Sequence, residues 1–215
     1  MNGEGQSVVK KRKVRSDKKR DVKPTIAVEL KDCIYRLSYI TNTPVKDVAE
    51  VICEKGIKSR KVIDYLSSFF RRDYNYMSTV STVYIGDPSL ESLQGKYQSG
   101  KNERITIRFS QVTYDEIKCL AAALDVTPSK ATALLLDASV RNTNLLNAYV
   151  KLYLNENVDK RRMKELKQVL QYVNKNNPYN DDISWFTLLS FLLEEVKEST
   201  ADVKEAIHTW MEKYK

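Results

Sequence analysis

Arg104, Thr106 and Arg108 alternate with Ile105, Ile107 and Phe109, a period of two that marks a half-buried strand. If the apolar residues face a core, the opposite face reads Arg-Thr-Arg. A guanidinium can grip guanine O6 and N7 with two parallel N–H donors. A threonine offers a hydroxyl to base edges and a methyl to thymine, so this triplet suits reading duplex DNA in the major groove. A second alternating stretch runs from Thr25 to Leu30, and the same rule makes Thr25, Ala27 and Glu29 its outward triplet. Glu29 is the awkward member, because two copies of it facing each other across a homodimer would set two carboxylates in a negatively charged groove. Paired instead with the Arg-bearing stretch, Glu29 can accept from cytosine N4 or orient a neighbouring arginine. The expectation is therefore that the two stretches pair within one chain. A homodimer of the second stretch is its rival.

Each stretch is followed by a helical pattern. Cys33, Leu37 and Ile40 share one face after the first, and Ile117, Leu120, Ala121 and Leu124 share one after the second, where Thr113 and Glu116 have capping-box spacing. Both patterns stop at a Thr-Pro pair, Thr43-Pro44 and Thr127-Pro128. Threonine caps a helix and proline at its first position loses no hydrogen bond, so each pair predicts a new helix start. Counting from the threonines aligns Ala49 with Ala133, Val51 with Leu135 and Ile52 with Leu136. The free N–H groups and positive dipole end of such a helix attract a phosphate oxygen. Thr43 and Lys46 in the first copy, with Thr127, Ser129 and Lys130 in the second, are thus candidates for backbone contacts that position without reading sequence.

Strand, helix, turn, helix, occurring twice over residues 24–58 and 103–142, resembles the ribbon-helix-helix family of DNA-binding proteins, and the pair in one chain is similar to the single-chain double form of that family. The resemblance implies a mainly α fold with a short two-stranded antiparallel ribbon that enters the major groove. It also implies double-stranded DNA as the partner, with a regulatory role in transcription or an accessory role in plasmid or conjugative transfer.

Charge is distributed unevenly. Of the net +8, residues 1–23 carry nine Lys and Arg against three acids. Such a block reads as a disordered basic arm, with Lys10, Lys11, Arg12, Lys13 and Arg15 as phosphate contacts. Residues 59–102 read as a helix, with Val62, Leu66, Phe69 and Phe70 on one side over Ser59 to Arg72, and a flexible linker over Asp87 to Asn102 holding Pro88, Gly95 and Gly100. Arg71-Arg72, Tyr74 and Tyr76 could touch nucleic acid, but a packed helix end is the preferred expectation. Residues 143–215 read as helices for packing or assembly, through which the chain could self-associate. Their stripes are Met163, Leu166, Leu170 and Val173, then Ile183, Phe186, Leu189, Leu193 and Val196, then Val203, Ile207, Trp210, Met211 and Tyr214.

Enzyme classes fit poorly. The only histidine is His208, and Cys33, Cys53 and Cys119 are unclustered, each in an apolar pattern that suggests small core residues, so neither a metal site, a cofactor nor a catalytic residue is expected. A tyrosine nucleophile among the 13 tyrosines lacks the convergent His or Arg cluster that strand transfer requires. An antitoxin-type interaction module is the remaining alternative, but dimerisation alone has no need of an Arg-Thr-Arg face. The longest apolar window, Trp185 to Leu193, falls short of the roughly 20 residues that span a bilayer. No apolar stretch follows the basic N-terminus as a signal peptide would require, and the expected location is the cytoplasm, on the nucleoid.

Overall fold

The computed structural model describes residues 19–76, 81–97, 99–153, 160–175 and 177–179. In chain order it contains strands β1 (Arg20–Val22) and β2 (Thr25–Ala27), then helices α1 (Val28–Thr41), α2 (Val45–Ile57) and α3 (Arg60–Ser67). Strands β3 (Tyr74–Tyr76), β4 (Thr82–Tyr84), β5 (Asn102–Arg104) and β6 (Ile107–Phe109) follow. Helices α4 (Gln111–Leu124), α5 (Pro128–Arg141), α6 (Thr143–Tyr153) and α7 (Lys160–Asn174) complete it. The described chain is thus mainly helical, with short two-stranded antiparallel sheets.

Two of those sheets share one register. β1 pairs with β6 so that Val22 faces Ile107, and β2 pairs with β5 so that Thr25 faces Arg104. Continuing either ladder sets Lys23 opposite Thr106 and Pro24 opposite Ile105, and the Ile105 N–H does donate to the Pro24 carbonyl at 3.2 Å. Proline has no N–H to return, which splits one ribbon into two short ladders. Apolar alternation runs through the break: Val22, Pro24 and Ile26 are buried on one strand, and Ile105, Ile107 and Phe109 on the other. Residues 20–22, read from composition as part of a disordered arm, are therefore ribbon, with Arg20 donating to Gln111 and Lys19 paired with Glu50.

The helices that follow are equivalent pairs. Asn42 and Asp125 end α1 and α4 in the left-handed conformation, at φ 50° and 55°, and both are residue types that tolerate it. The expected faces are buried: Cys33, Leu37 and Ile40 in α1, and Ile117, Leu120, Ala121 and Leu124 in α4. Ser110, not Thr113, caps α4, accepting from the Thr113 N–H at 3.1 Å. α4 and α5 meet at 95°. The helix after each turn begins at Val45 and at Pro128, so Ile52 and Cys53 correspond to Leu135 and Leu136, all buried. The sequence alignment on the threonines is thus displaced by one residue: both turns are three residues long, but Thr43 is the second residue of the first turn and Thr127 the third of the second. α2 packs across α5, and at their contact Gly56 stands against its own counterpart, Ser139.

α7 lies along α1, burying Met163, Leu166, Val169, Leu170 and Val173, each contributing at most about 1.5–3 kcal/mol. Arg141 at the end of α5 secures it. The guanidinium bonds Asp137 at 3.0 Å and the Tyr172 carbonyl at 3.3 Å and lies 4.5 Å from the centre of the Tyr172 ring, while the Tyr172 hydroxyl donates to Asp137 at 2.7 Å. The expected first C-terminal stripe is core. The two stripes beyond Ile183, and His208, lie outside the described residues.

Between the copies, α3 is shorter than expected, ending at Ser67 where the Ser67 and Ser68 hydroxyls turn back onto the Asp64 and Tyr65 carbonyls. The paired strands β3 and β4 then lie between that helix and residues 87–102, which read as linker. Its far end returns at Gly86, where a Cβ would lie 2.4 Å from the Arg72 backbone. Arg71 and Arg72 both bond Asp125, at 2.6 and 2.5 Å, and both backbone N–H groups donate to the Ala123 carbonyl. Of the cysteines, Cys33 and Cys53 are buried but Cys119 is exposed, since it falls on the solvent side of α4. No single described helix is long and apolar enough to cross a membrane.

Candidate nucleic-acid interface

The ribbon has one face in the core and one in solvent. Arg104, Thr106 and Arg108 are all exposed, as the alternation requires. Opposite them the register places Thr25, Lys23 and Asp21 in turn. Lys23 and Asp21 are exposed and Thr25 is half-buried. Three cations and one carboxylate therefore occupy a two-stranded surface. Asp21 forms an ion pair with Arg108, its Oδ1 lying 3.1 Å from Nε. Arg104 and Lys23 form no ion pair among the described residues.

Two members of the expected first triplet lie elsewhere. Ala27 is buried as the residue that caps α1, and Glu29 sits in the first turn of that helix, accepting from Lys175 Nζ at 3.0 and 3.1 Å. The chain leaves the strand conformation after Ala27, so the period of two cannot carry the face further. The strand instead extends backwards through Pro24, which is why Asp21 and Lys23 take the places expected for Ala27 and Glu29. The repeated spacing of Val22, Pro24 and Ile26 carries that signal.

At one end the ribbon face runs into the start of α5. Lys23, Thr25, Arg104, Thr127, Ser129 and Lys130 line one shallow concavity of about 290 Å³, so five of the expected contacts and the unexpected Lys23 are brought together. Thr127 is the cap, its hydroxyl accepting from the Lys130 N–H at 3.3 Å. The other two lining residues come from the segment before β5. The Gln94 side-chain carbonyl accepts the Thr127 N–H at 2.8 Å, and Tyr97 lies 4.5 Å under the Lys130 ammonium. That ammonium also donates to the Lys96 carbonyl. Partial burial there pulls the Lys130 pKa below its usual range.

The start of α2 is built differently. Thr43 does not cap it: its N–H and hydroxyl bond back to the Ser38 and Thr41 carbonyls, at 3.1 and 3.2 Å, and Pro44 takes the capping position. Lys46 is exposed in the first turn, but Asp47 stands where α5 has Lys130. The basic residues Lys10, Lys11, Arg12, Lys13 and Arg15 lie outside the described residues.

The chain matches no family model, no curated protein and no solved structure.

Proposed function

We propose that this chain is a sequence-specific double-stranded DNA-binding protein, built as a tandem ribbon-helix-helix module in a single polypeptide, that lays the outer face of its ribbon in the major groove. It acts by binding and not by catalysis, as a regulator of transcription or an accessory factor in plasmid or conjugative transfer. The observation that carries this reading is the continuity of the exposed Arg104, Lys23 and Thr25 with the capped start of α5. Base-reading and phosphate-holding groups then sit on one surface, which is what groove recognition requires. A major groove about 12 Å wide admits a two-stranded ribbon, and each bidentate arginine contact discriminates by about 1–3 kcal/mol.

Titration of a selected duplex and a scrambled one tests the reading. Arg104→Ala is expected to weaken binding to the selected duplex about 5- to 100-fold while changing the scrambled duplex far less. Equal losses on both would reduce Arg104 to a backbone contact, and no duplex binding by the parent chain would remove the proposal.

A further inference from the structure

We infer that the cognate duplex is asymmetric about the centre of the ribbon, and that Asp21 sets base preference at one end by holding Arg108. The inference rests on the ribbon being the groove-reading element.

Exchanging the two copies carries the ribbon register onto itself, with Lys23 and Thr106 facing each other at the centre. Two identical units would present the same residues on either side of that point. Here exchange sets Asp21 against Arg104 and Thr25 against Arg108, so the two ends differ in chemistry. One end offers Arg104 beside the Thr25 hydroxyl. The other offers Arg108 already ion-paired with Asp21, Nε to Oδ1 3.1 Å.

That ion pair has two consequences for reading. Pairing through Nε leaves the two terminal nitrogens of Arg108 as the donors that match guanine O6 and N7. The carboxylate keeps a second oxygen that can accept from cytosine N4, and it repels the phosphates and acceptor edges that tolerate a lone arginine. Arg104, with no such partner among the described residues, is freer to adapt. The flanking helices differ in the same direction. Ser129 and Lys130 open α5 beside Arg104, while their counterparts in α2 are Lys46 and Asp47, so backbone grip is stronger at the Arg104 end and side-chain readout stricter at the Arg108 end.

The test is selection of bound sequences from a random duplex pool with the full chain, repeated with Asp21→Ala, Asp21→Asn and Arg104→Ala. Asp21 is exposed, so its variants leave the core intact, and Asp21→Asn keeps an acceptor for Arg108 without the charge. A non-palindromic consensus is expected. Asp21→Ala should lower discrimination about five- to tenfold in one half of it only, Asp21→Asn should do so less, and Arg104→Ala should relax the other half. A palindromic consensus overturns the inference, as does an Asp21→Ala effect that is absent or equal in both halves. Failure to enrich any sequence overturns the underlying DNA-reading proposal instead.

Discussion

Gly56 of α2 and Ser139 of α5 approach so closely that a Cβ on the glycine would stand 1.8 Å from the serine Oγ and 2.8 Å from its Cβ. They are equivalent positions of the two copies, so this contact marks where the copies cross. Both neighbours on α5 are core residues, and the Ser139 hydroxyl is committed to the Leu135 carbonyl at 2.6 Å. Gly56→Ala therefore forces α2 and α5 apart. The expected cost is about 1–3 kcal/mol in chemical denaturation, overpacking outweighing the gain in helix propensity of about 1 kcal/mol. Adding Ser139→Gly should recover part of the loss, and a neutral Gly56→Ala would show that the helices are not in contact there.

The basic segment and the ribbon meet at Lys19, so their contributions separate by where a truncation ends. Deleting residues 1–18 removes six Lys and Arg and two acids but leaves β1 whole. It is expected to preserve the melting temperature and flatten the dependence of log K on log salt. Deleting residues 1–23 also takes Val22 from the core and Lys19 from Glu50, and should lower stability as well. An identical salt slope for the shorter deletion would show that the segment makes no phosphate contact.

Gln94 occupies the Thr127 N–H, a donor that a phosphate oxygen would otherwise take. Gln94→Ala exposes that donor and removes both Gln94–Thr127 hydrogen bonds, each neutral one worth about 0.5–1.5 kcal/mol. Duplex affinity is expected to rise about two- to tenfold in titrations at fixed salt. A fall in affinity would mean that Gln94 stays in place on binding and shapes the start of α5.

Much of this arrangement was legible in the residues. The alternation of Ile105, Ile107 and Phe109 located the Arg-Thr-Arg face, and the stripes of α1, α4 and α7 located their buried sides, because period and burial are directly linked. What failed was local. The alternation was read from Thr25 onward, yet the strand runs back through Pro24, which only costs one ladder bond, into residues that composition assigns to a tail. Thr43 and Thr127 share a dipeptide but not a role, because Thr43 sits one position earlier in its turn, where its N–H bonds the Ser38 carbonyl as the Val126 N–H bonds the Ala121 carbonyl. Gln94 and Tyr97 carried no signal, since their importance comes from packing a segment distant in sequence against α5.

Groove contact by Arg104 is tested most directly by replacing, one at a time, the guanines of the selected duplex with 7-deazaguanine, which removes the N7 acceptor and keeps Watson–Crick pairing. At the guanine facing Arg104 the substitution should weaken the parent chain by about 5- to 100-fold and leave Arg104→Ala, already lacking the donor, unchanged. If the parent binds every substituted duplex as tightly as the original, or if Arg104→Ala loses as much as the parent at each position, the ribbon does not read guanine in the major groove.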